Sequence, residues 1–552
     1  MEFIENVTKN ADEIQAKVLA EILSRNADVE YLKRYGLNGH TDKEDFKKTI
    51  PVISYDDIQS DIKRIANGDK SRLLCSEPIS EFLTSSGTSG GERKLIPFTE
   101  EELQRRAMFN SLLMPVISQY VPGLDRGKGM LFLFVKSDAK TPSGLLARPA
   151  LTSYFKSSYF KNRPHDPYTN YTSPNEAILC EDYYQSVYCQ MLCGLCQNKQ
   201  VLRVGTGTIN SKITDPSVGE AVMRTLKPDP ELADFIESEC RKDSWQGIIP
   251  RLWPNTKYID AIVTGSMSQY IPTVDYYSNE LPIVSPIYAA SEGYFGINLD
   301  PLSKPSDVSY TLIPTMGYFE FSPLNRNTDA GNGVKQQELV DLVDVKLGEE
   351  YEIVVTTYAG RLYRYRVGDL LRVAGFKNNA PKFHFVCRKN VILSIDSDKT
   401  DEAELQHAVE KAASHLIPFK ARVAEYTSYA DTTKVPGHYV LYWELSQSAS
   451  SNPIPPSVLE DCCMTMEESL ASTYRQHRVH DAISPLELRI VEAGTFDRLM
   501  DYVISLGGSI SQYKTPRCVK SAAILEVLNS RILSSYFSPK CPQWTPRSNY
   551  ED

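Results

Sequence analysis

From about residue 10 the chain places Ile14, Val18, Leu19, Ile22 and Leu23 at three- and four-residue intervals, which predicts an amphipathic helix. Phe109, Leu112, Leu113, Val116 and Ile117 repeat the pattern; this helix is expected to open at Thr99, with Glu102 completing a capping box, and to kink at Pro115. Between such segments lie strand-sized apolar runs, among them Gly129-MLFLFV, Leu281-PIVSPI, Tyr351-EIVVTTY, Leu370-LRVAGF and Lys382-FHFVCRKNVILSI. Helices alternating with strands predict a layered α/β body.

The polar run Asp396-SDKTDE then precedes a helix with Leu405, Ala408, Val409, Ala412 and Leu416 on one stripe and Thr400 as its cap. Beyond it the pattern predicts strands near 419–427, 438–445 and 486–492 and helices near 457–474 and 496–506, a small α+β domain. The predicted division is an N-terminal domain over 1–396 and a C-terminal domain over 397–552, with a hinge at 397–404.

Composition narrows the function. A chain of 552 residues exceeds what one core usually serves, in keeping with two domains. The 60 Lys and Arg are outnumbered by 70 Asp and Glu, and no long basic run exists to track a phosphate backbone, so nucleic acid is not expected as a partner. The apolar runs are too short to span a membrane, the N-terminus lacks a signal-peptide pattern and the C-terminus carries no lipidation or peroxisomal address; a cytoplasmic protein is expected. Of the eleven cysteines, Cys189, Cys193 and Cys196 cluster among Tyr, Val, Met and Leu without paired histidines, which reads as packing rather than metal binding.

Three stretches carry candidate chemistry. Thr84 to Gly91, TSSGTSGG, runs into Glu92-Arg93-Lys94 and lies between a predicted strand and the helix opening at Thr99. Its glycines let backbone N–H groups converge, its hydroxyls add donors, and Arg93 and Lys94 add charge, which suits a polyphosphate; it lacks the Walker A spacing, and by itself it also reads as a linker. Tyr288-Ala-Ala-Ser-Glu292 sets an aromatic and a carboxylate four apart near a strand end, or is merely a strand end. Tyr365-Arg-Val-Gly-Asp369 lies between two predicted strands, where a glycine turn would present a carboxylate, or a hairpin a surface salt bridge.

In this order, and followed by Gln512-Tyr-Lys514-Thr-Pro-Arg517, the three resemble the signature set of the adenylate-forming superfamily of acyl ligases, peptide-synthetase adenylation domains and beetle luciferases. Over almost its whole length the chain further resembles the plant acyl-acid amido synthetases of the Gretchen Hagen three family, through SSGTSGGERKLIPF, WPNTKYIDAIVTGSMSQYIP, YRYRVGDLLRVAGF, ILSIDSDKTDE and QYKTPRCVK. The branch it most resembles conjugates indole-3-acetic acid, commonly to aspartate.

The resemblance implies a large luciferase-like α/β N-terminal domain, a smaller mobile α+β C-terminal domain, and a monomer using ATP and Mg2+. It implies two half-reactions: the acid attacks the α-phosphate to give an acyl-adenylate, and the amine of aspartate or glutamate then expels AMP. It assigns Ser85, Ser86 and Thr88 to the phosphate loop, Tyr288 and Ser291 to the nucleotide border, Glu292 to magnesium and Asp369 to the ribose. Lys399 and Lys514 become the phosphate-facing lysines. Leu113, Ala150, Leu151, Ile287, Ala289 and Tyr294 become the acyl pocket, while Arg93 and Arg106 are candidates for the amino acid's carboxylate or else solvated surface arginines. An uncharged Leu113, where benzoate-conjugating relatives carry arginine, favours an indole-like ring. Alternatives are jasmonate, benzoate or another acid, coenzyme A as acceptor, or a nucleotide-binding relative without turnover.

The chain also departs from the family pattern. After Gly205 it lacks a helix-sized segment whose start normally lines the acyl pocket. The loop at Asn325 is short, Tyr358-AGRLYRYR is one residue longer than usual, and Asn110 stands where auxin-type relatives often have tyrosine.

Overall fold

The computed structural model describes residues 1–543 except 71, 85–93, 206–214, 325–338, 389–390, 396–397, 399, 435, 448–452, 480, 506–512 and 520. At 183, 266, 269–270, 388, 391–392 and 472–473 it describes the backbone alone. The described chain forms two compact units that divide between Val386 and Cys387. This precedes the boundary read at 396, because the strand Val391–Leu393 pairs with Thr400–Asp401 and Leu393 packs with Leu405 and Tyr439 of the second unit. Among the described residues no helix is long and apolar enough to cross a membrane.

The first unit holds three sheets. The largest has eight strands in the order Val340–Asp341, Gly317–Pro323, Glu350–Thr357, Tyr365–Lys377, Ala380–Arg388, Tyr310–Leu312, Tyr294–Ile297 and Ile287–Ala289. Phe295, Phe319, Phe321 and Ile353 share one core with Val18, Leu19 and Ile22 of the helix Ala11–Arg25, the stripe expected from the spacing. A second sheet is parallel, ordered Lys128–Met130, Val201–Gly205, Tyr258–Asp260, Ile283–Val284. The third pairs Glu81–Thr84 with Leu95–Phe98 and Leu146–Pro149, so both strands flanking residues 85–93 are fixed.

The helix Glu100–Tyr120 is capped by Thr99, which accepts from the Glu102 amide at 3.4 Å. The capping box is only half made, since the Glu102 carboxylate turns inward to Arg106. Pro115 lies inside a helix that continues to Tyr120. Tyr365-Arg-Val-Gly-Asp369 is not a turn between strands. It lies within the single strand Tyr365–Lys377, at a register shift opposite Glu352 and Val354, with Gly368 at φ +84°. A bulge at a left-handed glycine re-aims the next side chain, Asp369, without breaking the sheet.

The second unit has a four-stranded sheet, Ala421–Asp431, His438–Gln447, Glu487–Val491 and Ile532–Phe537. The strand His438–Gln447 alternates: Tyr439, Leu441 and Trp443 join the cluster of Leu405, Ala408, Val409, Ala412 and Leu416, while Val440 and Tyr442 join that of Phe496, Leu499 and Val503. The helix Glu402–Ala413 is capped by Asp401, which accepts from the Glu404 amide at 2.8 Å, and not by Thr400. The helix Ala522–Asn529 and the last strand were not anticipated from the sequence pattern.

Candidate nucleotide and acyl-acid site

The strands Ile287–Ala289 and Tyr294–Ile297 form a hairpin whose tip, residues 290–293, closes through the Ala290 amide donating to the Gly293 carbonyl at 2.8 Å. A Cβ at Gly293 would lie 2.8 Å from the Phe295 ring, so this tight tip requires glycine. It presents Ser291 and Glu292. Behind it, Tyr288 donates its hydroxyl to Asp369 Oδ2 at 2.8 Å, and both side chains are buried. Two motifs some eighty positions apart therefore meet through a direct hydrogen bond.

A buried arginine pair holds the hairpin tip. Arg106 Nη2 donates to the Ser291 carbonyl at 2.8 Å and its Nε to Glu102 at 3.1 Å, and the guanidinium lies 4.8 Å over the Tyr294 ring. Arg361, fully buried, donates to the Glu292 carbonyl at 3.1 Å and the Pro97 carbonyl at 2.6 Å, and stands 3.3 Å from the same Glu102 carboxylate. Burial pushes the Arg361 guanidinium below its ordinary value against the opposing pull of Glu102. One buried glutamate thus bridges two arginines, and each arginine fixes one backbone carbonyl of Ser291–Glu292.

This corrects the reading of Arg106 as a clamp for an incoming carboxylate or a solvated surface arginine. Its polar atoms are engaged inside the protein and only 3% of it is exposed. Arg361 was missed. The available signal was Glu102 and Arg106 on the same stripe as Leu103 and Phe109, charges on an apolar face that require a buried partner.

Glu292 itself is 6% exposed, and among the described residues its carboxylate has no hydrogen-bond or ion-pair partner. A buried carboxylate lacking such a partner fits a cation, and magnesium needs only one or two protein carboxylates beside phosphate oxygens and water. Glu292 is the residue that would hold it.

Of the predicted acyl-pocket residues, all but Ala289 lie on apolar clusters of the first unit. Leu113, Ala150, Ile287 and Tyr294 belong to one apolar cluster, and Tyr154 links it to a second cluster holding Leu151 and Tyr171. Ala289 is exposed beside them on its strand. The Tyr294 phenol is pushed up by burial.

In the second unit Lys514 is exposed on a segment sewn to the strand Ala421–Asp431. Thr515 donates to Glu425 at 2.8 Å and Arg517 to the Tyr426 carbonyl at 2.7 Å, while the Ser428 amide donates to the Arg517 carbonyl and Val519 to Ser428. Ser85, Ser86, Thr88, Arg93 and Lys399 lie outside the described residues. Of the cysteine cluster, Cys189 and Cys193 pack with Val218 and Val222, and burial pushes their thiols up to about 11 and about 12.

Family models match most of the chain: the GH3 family N-terminal domain at residues 1–206 and 203–283, the central domain at 310–388 and the C-terminal domain at 403–523. The N-terminal match breaks at 203–206, where the sequence departs from the family after Gly205. The chain is 68% identical to the indole-3-acetic acid-amido synthetase GH3.6 of Arabidopsis thaliana, covering 99% of this chain and 95% of that protein; the alignment spans 582 positions, more than the chain's own 552. Among solved structures it is similar to the AtGH3.15 acyl acid amido synthetase in complex with 2,4-DB, at TM-score 0.88 and 45% identity, covering 99% and 98% of the two chains. A 2-hydroxyisobutyryl-CoA ligase in the postadenylation state shares the fold at TM-score 0.51 and 11% identity, over 95% of this chain and 92% of that one.

Proposed function

Since the chain belongs to the GH3 family, we propose that it is an ATP-dependent amido synthetase that adenylates indole-3-acetic acid and transfers the acyl group to aspartate or glutamate. The observation that carries this reading is the buried Glu292 carboxylate without a hydrogen bond or ion pair among the described residues, on a tip fixed by Arg106 and Arg361 and beside the Tyr288–Asp369 pair.

A carboxylic acid is a poor acyl donor because its leaving group would be hydroxide or oxide. In the first half-reaction one carboxylate oxygen of the acid bonds to the α-phosphorus of ATP and the bond to the β-phosphate bridging oxygen breaks, releasing pyrophosphate. In the second, the amine nitrogen bonds to the acyl carbon, the carbon–oxygen bond to AMP breaks, and the amine gives up a proton. Glu292 would hold magnesium, which when bound would supply neutralisation of phosphate charge.

The protein's own part is largely positioning. Asp369 takes the ribose hydroxyls, and the Tyr288 hydroxyl fixes that carboxylate while the ring borders the adenine. Arg106 and Arg361 keep the Ser291–Glu292 backbone from moving as charge develops. Lys514 is the phosphate-facing lysine of the first half-reaction, with Ser85, Ser86, Thr88 and Lys399 completing the phosphate contacts. Leu113, Ala150, Leu151, Ile287, Ala289 and Tyr294 hold a flat ring. The amino acid's carboxylate is left to Arg93, since Arg106 is engaged.

The test is ATP–pyrophosphate exchange driven by indole-3-acetic acid without an amino acid. Exchange in the unmodified protein, lost in Glu292→Ala while the protein stays folded, supports the reading. The departure after Gly205 favours a second one, a nucleotide-binding relative without turnover, which predicts ATP binding with no exchange for indole, jasmonate or benzoate acids.

A further inference from the structure

Three polar groups on one side of the parallel sheet lack a hydrogen-bond partner among the described residues: the carboxyl of Asp260 and the hydroxyls of Tyr171 and Tyr154. Asp260 ends the strand Tyr258–Asp260, at the carboxyl edge where ligands of parallel sheets bind. The register pairs Arg203 with Tyr258 and Gly205 with Asp260, so Arg203, Tyr258 and Asp260 point to the same face. That face is covered by the helix Glu100–Tyr120, since Tyr258 packs with its Met114 and Ile117 and Arg203 Nη1 lies 2.5 Å from the Met114 sulfur. Leu113, the predicted pocket residue, is the next position on that helix.

Tyr171 bridges to Gly129 on the outer strand and interacts electrostatically with both Arg203 and Asp260. Tyr154, one helical turn after Ala150, interacts with Tyr171 and Tyr294 and packs in the same two apolar clusters as Ala150 and Leu151. Burial pushes all three groups up, yet each keeps some accessible surface, the mark of a recess rather than solid core. Enclosed polar groups are nearly always hydrogen-bonded, and a set left open at the end of an apolar lining marks a place for a ligand.

We propose that Asp260, flanked by Tyr171 and Tyr154, is the polar end of the acyl-acid recess and accepts a hydrogen bond from a donor on the acid's ring, such as a ring N–H. The assignment rests on the amido-synthetase reading and adds the group that selects the ring. It also sets the acid's direction. A carboxyl floor offers the substrate's carboxylate no cation, and the acid's carboxylate points instead to the arginine-held tip at Ser291. Burial favours the neutral carboxyl at Asp260 and Arg203 opposes it, and among the described residues no ion pair joins the two.

The experiment compares indole-3-acetic acid with naphthalene-1-acetic acid, a fused-ring acid without the N–H, by direct binding and by kcat/KM in the full chain. In Asp260→Leu the preference for the indole acid should fall about tenfold, the loss of one hydrogen bond. Asp260→Asn, which keeps an acceptor, should recover part of it. Tyr171→Phe removes only a hydroxyl and should lower the preference about threefold, which keeps the proposal testable if Asp260→Leu fails to fold. An unchanged ratio, or equal losses for both acids, in a protein whose unmodified form turns over the indole acid overturns the proposal alone. An unmodified protein that accepts neither acid overturns the amido-synthetase reading and this assignment with it.

Discussion

The Ser291–Glu292 tip and the Asp260 recess lie in the same unit and are both rich in buried polar atoms, but they are finished differently. At the tip Glu102 bridges two arginines and both backbone carbonyls are taken up, while among the described residues the Glu292 carboxylate has no hydrogen bond or ion pair. In the recess a carboxyl and two phenols are left without partners among the described residues. Completed pairing fixes a backbone; incomplete pairing leaves binding capacity for a ligand. The contrast separates groups that position from groups that bind, and substitutions at the two places should report it differently.

The largest effect is expected at Arg361. Arg361→Met leaves the Pro97 and Glu292 carbonyls without this buried donor and Glu102 with Arg106 alone, and should cost about 3–5 kcal/mol of stability, read as a lower midpoint in thermal or urea melts. Glu292→Gln should invert the balance, leaving the melt within about 0.5 kcal/mol, a mild change for a group with no hydrogen bond or ion pair among the described residues, while cutting pyrophosphate exchange about a hundredfold. Equal destabilisation by both changes would erase the distinction.

Tyr288→Phe removes one hydrogen bond to Asp369 and should raise KM for ATP about tenfold with a smaller change in kcat, because Asp369 then loses one of the contacts that orient it. A fall in kcat at constant KM would argue that the pair acts on chemistry instead of binding.

The smallest effect lies in the second unit, where the Glu404 carboxyl is half-buried near Asp401 and Asp398 but accepts the Ala471 amide. Burial raises it from an ordinary 4.5 to about 7, so the unfolded chain gives up this proton first. Its contribution is therefore best below about pH 4.5, where both states are protonated, and stability declines as pH rises toward 7. Melts of Glu404→Gln should lack that decline.

What could be read from the sequence follows from the range of the physics. The stripe at Val18, Leu19 and Ile22 and that at Leu405, Ala408 and Val409 come from helical period alone, and both are buried as expected. The meeting of Tyr288 with Asp369 was legible only through motif order, because no local pattern joins positions so far apart. Asp369 was assigned to a turn because a bulge and a turn share the same glycine signal, and only the partner strand distinguishes them. The cap at Thr400 lost to Asp401, one residue nearer the helix, since either side chain meets the local rule. Arg361 escaped notice because its partners Glu102, Pro97 and Glu292 are all remote in sequence. Asp260 escaped because being without a partner is a property of three dimensions.

The central claim is tested most directly by incubating the protein with Mg-ATP, indole-3-acetic acid and aspartate and following AMP and the acid–aspartate amide by mass spectrometry. The account predicts amide and AMP in equal amounts, dependent on both acids and lost in Glu292→Ala. Bound ATP with neither AMP nor amide, for aspartate and glutamate alike, would contradict it.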